Sequence, residues 1–260
     1  MTVTLERGGN GVGAIRLNRP PMNAIDDATL RGLERMLAEV RTDPGLSCLV
    51  LQSELPKSFS AGADIEFLKS NFDRPDALEE FRVLFHRVTL ALEEMPKIFI
   101  AAINGHAMGG GLELALACDF RYAAEGSYKL GLPEIALGLF PGGGGTQRLA
   151  RLIGRARALE LIVTGDLLGP AQAAELGIVD RIVPADALQK EVEALAAKLA
   201  SGPTQAIGAA KLAIYQGLDA PLRAGLEIER TCHRWVSATE DARIGLKAFL
   251  EKSRAKFTGR

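Results

Sequence analysis

The most apolar stretch of the chain, residues 98–118, constrains the fold more than any other feature. It contains a single charged side chain, Glu113, among leucines, alanines and glycines. An ionised carboxylate is costly to remove from water, so such a group pairs with a cation or its pKa rises. Asn104, His106 and several glycines interrupt the stretch, which argues against a membrane span. The pattern predicts a buried strand followed by a buried helix.

Charge and cysteine content exclude several classes of protein. The 260 residues carry a formal net charge of −1 without a block of like charges, so no nucleic-acid footprint is visible. Cys48, Cys118 and Cys232 are far apart and odd in number, which argues against a disulfide framework or a zinc site and for a reducing compartment. The first residues lack a basic segment followed by an apolar core, so we expect no signal peptide and a cytoplasmic protein.

Strand and helix patterns alternate along the first 200 residues and predict an α/β architecture. VTLER and GAIRLN around GGNG predict a hairpin, and CLVLQ, KIFIAAI and DFRYAA predict buried strands. Asp26 or Asp27 is expected to cap a helix that ends near Arg41. KSFSAGAD and LGLPEIALGLFPGGGG are interpreted as loops, with a helix beginning near Thr146.

From about Ala185 onward, four successive segments show helical patterns, and the first has an apolar stripe. We therefore predict two regions, an α/β body over 1–200 and a helical region over 201–260. An all-helical end with an apolar stripe on each segment is a candidate for packing against another subunit.

Two isolated glutamates are the candidate chemical groups. Glu113 is interpreted either as half of a buried ion pair with an arginine or as a carboxyl group whose pKa suits proton transfer near neutrality. Glu134 is the only charged residue between Lys129 and Arg148. A loop glutamate is usually solvated, but two isolated carboxylates beside glycine-rich segments can divide acid and base roles.

Two glycine runs, 109–111 and 142–145, each precede a helix pattern. Neither matches the phosphate-binding loop or the dinucleotide fingerprint, so NAD and nucleoside triphosphates are disfavoured. Glycine also lets a ligand approach backbone N–H groups at a helix N-terminus, where an oxyanion can be stabilised. The small residues 60–64 offer a second such segment. No GxSxG motif is present and the three histidines are scattered, which disfavours a serine or metal hydrolase.

At these residues the chain resembles the crotonase superfamily, the enoyl-CoA hydratases and isomerases. The likeness runs nearly end to end and includes RLNRPPMNAI, KSFSAGADI, INGHAMGGGLELALACDFRYA and LGLPEIALGLFPGGGGTQRLARLIG. The resemblance implies a spiral of strand-strand-helix turns, with a helical C-terminal region that forms homotrimers pairing into hexamers. Coenzyme A is part of the acyl-CoA substrate in this family, so the resemblance implies no separate cofactor. The charge balance, the cysteine spacing and the interrupted apolar stretch lead us to expect no metal and neither nucleic acid nor membrane as a partner.

The resemblance also assigns residues. Ala63 and Gly110 match the two residues whose backbone N–H groups polarise the thioester carbonyl, and Glu113 and Glu134 match the catalytic glutamates. The residues matching the remaining substrate-binding positions are Gly142, near the catalytic water, and Ala61, Asp64 and Ile65, which with Ala63 line the adenine side of the CoA site.

Both glutamates are present, which favours hydration of a trans-2-enoyl-CoA, as in fatty-acid β-oxidation. A Δ3,Δ2-enoyl-CoA isomerase using one glutamate is the main alternative, and a non-catalytic CoA- or RNA-binding scaffold is a third. Pro21 and Glu66 stand where many hydratases have lysine, and Lys57 and Lys252 are expected to compensate on the CoA-phosphate side.

Overall fold

The computed structural model describes residues 2–260, which form two sheets surrounded by helices. The strands are β1 Val3–Arg7, β2 Val12–Leu17, β3 Cys48–Ser53, β4 Ser58–Ser60, β5 Ile98–Ile103, β6 His106–Met108, β7 Phe120–Ala124, β8 Leu130–Gly131 and β9 Arg181–Val183. A six-stranded sheet has the order β1-β2-β3-β5-β7-β9, in which β1 and β2 are antiparallel and the other neighbours are parallel. A second, three-stranded parallel sheet has the order β4-β6-β8.

The six-stranded sheet contains every strand that the sequence predicts. All six side chains of β5 are buried, as expected for a parallel strand covered on both faces. The predicted hairpin is confirmed, with Val3 opposite Leu17 and Arg7 opposite Gly13. Together with the neighbouring helices, this sheet forms one continuous apolar core.

The three-stranded sheet corrects the prediction that KSFSAGAD and LGLPEIALGLFPGGGG are loops throughout. Ser58–Ser60 of the first segment is β4, and Leu130–Gly131 of the second is β8, while His106–Met108 pairs between them. Successive strands alternate between the two sheets, β3 then β4, β5 then β6, and β7 then β8. This alternation, followed by a helix or a helical turn, is the predicted spiral.

The helices agree with the predicted positions. Asp26 caps α1 (Asp27–Thr42) by accepting a hydrogen bond from the Thr29 N–H. The helix buries an apolar stripe formed by Leu30, Leu33, Leu37 and Val40. A 3-10 helix covers Pro133–Leu137. The α-helices are α1 Asp27–Thr42, α2 Ile65–Ser70, α3 Pro75–Glu94, α4 Gly110–Leu116, α5 Gly145–Ile153, α6 Arg155–Thr164, α7 Pro170–Glu175, α8 Leu188–Ala200, α9 Thr204–Leu218, α10 Leu222–Ser237 and α11 Glu240–Leu250.

The C-terminal region is helical, as expected, and α9 is attached to the body by a buried ion pair. Lys211 donates to Asp119 at 2.9 Å and to the carbonyls of Leu92 and Lys97. The division of the chain at residue 200 falls between α8 and α9 and stays a prediction. Within residues 2–260, no helix is long and apolar enough to cross a bilayer.

Candidate active site

The C-terminal edge of the small sheet brings three predicted site residues together. Ala63, Gly110 and Glu134 each follow the last residue of β4, β6 or β8 within three positions. Because the three strands are parallel, their carboxyl ends lie at one edge, which is where open α/β sheets bind ligands. The segments pack closely, because a Cβ on Gly62, Gly109 or Gly110 would lie 2.6, 2.9 or 3.0 Å, respectively, from a neighbouring atom.

Glu113 lies on α4 with its side chain buried. Its Oε1 accepts hydrogen bonds from the backbone N–H groups of Gly143, at 2.8 Å, and Gly145, at 2.7 Å. These donors lie at the N-terminus of α5, where unsatisfied N–H groups and the helix dipole favour a carboxylate. Glu113 forms no ion pair within residues 2–260, so the first of the two interpretations of this residue is wrong.

Burial raises the pKa of Glu113 to about 7. The nearby charge of Glu134 raises the pKa further, whereas the N–H groups of Gly145 and Gly143 and the charge of Arg148 lower it. The second oxygen, Oε2, accepts no hydrogen bond from the described residues. One oxygen is therefore fixed by the backbone, and the other is available to a ligand at a pH where both protonation states are populated.

Glu134 lies in the first turn of the 3-10 helix. Its Oε2 is buried and has no hydrogen-bond partner among residues 2–260, an arrangement that usually costs about 1–3 kcal/mol. Burial raises the pKa of this carboxyl group as well. A Cβ on Gly109 would lie 2.9 Å from Glu134 Oε1, so the carboxyl group lies directly against the glycine run.

The Ala63 N–H points toward the same edge. Ala63 and Ile25 form a parallel bridge in which Ile25 donates to the Gly62 carbonyl and Asp64 donates to the Ile25 carbonyl. This pattern uses the groups on either side of Ala63 and turns its own N–H away from the bridge. In the described part of the chain, the Ala63 N–H has no acceptor.

The Gly110 N–H lies beside the Ala63 N–H. Gly110 is the first residue of α4, so its N–H has no partner within the helix, and residues 2–260 supply no other acceptor. A Cβ on Gly62 would lie 3.0 Å from the Gly110 nitrogen, and one on Gly110 would lie 3.5 Å from the Ala63 nitrogen. Gly62 has φ +90°, a conformation that favours glycine. Two unpaired donors are thus adjacent at the edge that holds Glu134.

The other predicted binding residues have different surroundings. Asp64 uses its side chain for structure: it caps α2 by accepting from the Phe67 N–H and forms an ion pair with Arg19 at 2.6 Å. Ile65 is 53% exposed, on the first turn of α2. Ala61 donates its N–H to the Met22 carbonyl, and the Gly142 carbonyl accepts from His86.

The residues at the predicted CoA-phosphate side are all on the surface. Each of the four is exposed: Pro21, Lys57, Glu66 and Lys252. The absence of lysine at positions 21 and 66 therefore changes the surface charge and not the core. Among residues 2–260, no three His, Cys, Asp or Glu side chains are grouped as metal ligands would be.

The sequence did not indicate which backbone groups bind Glu113. Gly143 and Gly145 are separated from it by 30 and 32 positions, and glycine has no side chain to mark a contact. The signal that was available is the run of glycines directly before α5, which marks a helix N-terminus able to receive a carboxylate.

A family model described as enoyl-CoA hydratase/isomerase matches residues 7–260. The chain belongs to this family. Crotonyl-CoA hydratase of Syntrophomonas wolfei subsp. wolfei is 38% identical over 247 residues, which cover 95% of this chain and 94% of that protein. Enoyl-CoA isomerase/hydratase fer4 of Mycosarcoma maydis is 38% identical over 259 residues, covering 96% and 93% of the two chains.

Solved structures of this family have the same fold. The crystal structure of enoyl-CoA hydratase from Bacillus anthracis matches with a TM-score of 0.95 and 37% identity, and the match covers 100% of both chains. The predicted fold class, a crotonase-type α/β spiral with a helical C-terminal region, is confirmed. Membership of an acyl-CoA-processing family is consistent with a CoA thioester as substrate.

Proposed function

We propose that this member of the enoyl-CoA hydratase/isomerase family is a hydratase that adds water reversibly, in the syn sense, to trans-2-enoyl-CoA thioesters. The observation that carries the proposal is the pair of carboxyl groups, Glu113 and Glu134. Both have raised pKa values and each has an oxygen without a hydrogen-bond partner in the described residues. Groups of this kind can both donate and accept protons near neutral pH.

The thioester carbonyl is proposed to accept hydrogen bonds from the N–H groups of Ala63 and Gly110. When water adds to C3 of the enoyl group, the electron pair of the C2–C3 double bond moves toward the carbonyl and negative charge develops on its oxygen. Donors already aimed at that position stabilise this charge, and the loss of one such donor typically costs about 10²–10³ in kcat. Their lack of acceptors within residues 2–260 is what such a role requires.

The two carboxyl groups are proposed to divide the proton transfers. Glu113 starts as the carboxylate, with its charge on Oε1 stabilised by the N–H groups of Gly143 and Gly145, and accepts a proton from water as the water oxygen bonds to C3. Glu134 starts protonated, positions the water and delivers its proton to C2, which yields the 3-hydroxyacyl thioester. Transfer of a proton from Glu113 to Glu134 through solvent restores both groups. Proton transfers by both carboxyl groups from one side of the bound thioester would form both new bonds on one face of the double bond, which is the proposed syn addition.

The test is to follow the absorbance of the conjugated enone of crotonyl-CoA with the purified chain. We expect the absorbance to fall and 3-hydroxybutyryl-CoA to appear. Absence of both, with a folded protein, contradicts the proposal and leaves the isomerase and the non-catalytic scaffold as the remaining explanations of the site.

A Δ3,Δ2-enoyl-CoA isomerase is the second candidate, because the family includes isomerases and the relative from Mycosarcoma maydis is named for both activities. Isomerisation moves one proton between C2 and C4 and needs one carboxyl group. Appearance of a conjugated enone from a 3-enoyl thioester, without subsequent hydration, identifies this activity.

We further propose a homotrimer or homohexamer formed through the C-terminal region. Several large apolar side chains there face solvent, and Leu218, Leu222, Phe249 and Leu250 are each more than three-quarters exposed. Large apolar side chains exposed on several helices of one region favour a surface that packs against another subunit. We expect light scattering to give a trimer or hexamer at micromolar concentration, and a stable monomer contradicts this assignment.

A further inference from the structure

The guanidinium group of Arg148 lies behind the glycine loop that binds Glu113. Its Nη1 donates to the Gly143 carbonyl at 3.1 Å. That carbonyl belongs to the peptide unit between Gly143 and Gly144. The two flanking peptide units supply the N–H groups that bind Glu113 Oε1. A hydrogen bond to the middle unit therefore restrains both donors at once.

Glu93, near the end of α3, holds Arg148 in this orientation. Two parallel hydrogen bonds of 2.7 Å join Arg148 Nε and Nη2 to the two oxygens of Glu93. The side chains are only 13% and 17% exposed, so solvent screens the pair weakly. Only arginine offers a planar fork that can engage a carboxylate through two nitrogens while a third reaches a carbonyl.

Gly144 allows the close approach of Arg148 because it has no side chain. It has φ +109°, and a Cβ at this position would collide with Arg148 Nη1. The backbone N–H of Arg148 also donates to the Gly144 carbonyl at 2.9 Å. The loop and the guanidinium group are thus packed directly against each other.

We propose that Arg148, oriented by Glu93, is a positioning residue for Glu113 that acts through the carbonyl of Gly143. The inference rests on the proposed function in one respect, that Glu113 takes the proton from water. The alternative is that the pair only joins α3 to α5 and contributes to stability. The two explanations differ in their consequences for the protonation of Glu113 and for turnover at constant stability.

The charged groups around Glu113 give the sign of the expected pH effect. Glu134 approaches from the 3-10 helix and Arg148 from α5, with Glu93 behind Arg148. The Arg148 cation lowers the pKa of Glu113, so its removal raises this pKa. Because a base must be deprotonated to act, the acid limb of the kcat profile should move to higher pH in Arg148→Ala. Arg148→Lys keeps the cation and loses the fork.

The experiment compares kcat, KM and melting temperature for the parent, Arg148→Ala, Arg148→Lys and Glu93→Gln on crotonyl-CoA from about pH 5 to about pH 9. Arg151→Ala is the matched control, since Arg151 is on the same helix and its side chain is 62% exposed. Infrared titration of the Glu113 carboxyl band, assigned with Glu113→Gln, is the second readout.

We expect Arg148→Lys and Glu93→Gln to lower kcat about 10- to 100-fold with KM near the parent value, because a displaced catalytic group costs turnover more than binding. Arg148→Ala should also move the acid limb and the infrared titration of Glu113 to higher pH. Arg151→Ala should change neither.

Folded Arg148 and Glu93 variants with parental kcat and a parental Glu113 titration overturn the proposal. Loss of folding in all three variants, with Arg151→Ala intact, also overturns it by assigning the pair to stability alone. If the parent does not hydrate crotonyl-CoA, the proposed function fails separately. A changed Glu113 carboxyl band in Arg148→Lys, which keeps the cation and loses the fork, then still supports the positioning of Glu113 by Arg148, and an unchanged band contradicts it.

Discussion

The same spiral of the chain builds both sheets of this protein. The large sheet buries side chains, whereas the small sheet presents the groups that follow its strands. In the large sheet, strands of three to six residues bury side chains, and those of β5 are buried without exception. In the small sheet, the strands are two or three residues long. The chain leaves each of them at the same edge and turns there, presenting the N–H groups of Ala63 and Gly110 and the carboxyl group of Glu134.

This difference separates stability from proposed chemistry. Changes in the large sheet should act on the free energy of unfolding, because its side chains form the core. Changes at the edge of the small sheet should act on turnover, because backbone donors and carboxyl groups there lack hydrogen-bond partners in the described residues and can bind a ligand. Substitutions in the two sheets can therefore be compared directly for their effects on stability and turnover.

The largest effect is expected from the second carboxyl group. Glu134→Gln removes a group that exchanges protons, and a contribution of this kind is about 10²–10⁴-fold in kcat. If Glu113 and Glu134 act on one water, the double glutamine variant should lose much less than the product of the two single losses. Steady-state kinetics on crotonyl-CoA measure this, and a fully multiplicative loss would show that the two groups act independently.

The next effect concerns the backbone donor at Gly110. A Cβ at this position would lie 3.0 Å from Phe85 Cε1 and close to the Ala63 nitrogen, so the side chain of Gly110→Val would intrude on the proposed carbonyl site. We expect a loss of about 10²–10³ in kcat, comparable to the removal of one such donor. Phe85 must also shift to admit the side chain, so thermal unfolding of the same variant should show a cost of about 1–3 kcal/mol, and kcat is expressed per mole of folded protein. A folded variant with normal turnover would show that the carbonyl is placed elsewhere.

The pH dependence of stability should reveal the burial of Glu113. Its pKa is raised from 4.5 to about 7 in the folded state, so between these values the native state binds a proton that the unfolded state does not. The free energy of unfolding therefore falls as pH rises through this window. Glu113→Gln should abolish this decrease. The free energy of unfolding of the variant, relative to that of the parent, should therefore rise by up to about 3 kcal/mol between pH 5 and pH 8. Denaturant titrations that give parallel pH curves for both proteins would contradict the assignment.

The smallest effect is expected in the large sheet. Ile100 is fully buried on β5, so Ile100→Val should cost about 0.5–1.5 kcal/mol of unfolding free energy while kcat stays near the parent value. Urea denaturation and kinetics on one preparation measure both. A large loss of turnover here would show that the core and the edge are coupled and would weaken the comparison between the sheets.

Most strands of the large sheet, the first helix and the two glutamates of the candidate site could be predicted from the sequence. The strands of the large sheet that follow the hairpin are short apolar runs, and α1 has an apolar stripe that the structure buries. Glu113 and Glu134 are recognisable in the sequence because each is an isolated charge among apolar residues and glycines. These signals are local, so a single sequence contains them.

The small sheet and the partners of Glu113 could not be predicted in the same way. Strands such as Leu130–Gly131 are too short to show an alternation of apolar and polar residues. The bonds from Gly143 and Gly145 to Glu113, and from Arg148 to Glu93, join segments that are distant in the chain and leave no periodic pattern. Asp64 has a structural role that the sequence analysis did not predict. Its carboxylate caps α2, and its assignment to the CoA site stays a prediction.

The most direct test of the central claim is the activity of Glu113→Gln on two thioesters. A hydratase needs both carboxyl groups, so this variant should hydrate crotonyl-CoA about 10²–10⁴-fold more slowly than the parent, with CoA-product binding retained. An isomerase that uses Glu134 alone would keep its rate on a 3-enoyl thioester. Hydration of crotonyl-CoA by folded Glu113→Gln at the parental rate would contradict the proposed function at its central residue.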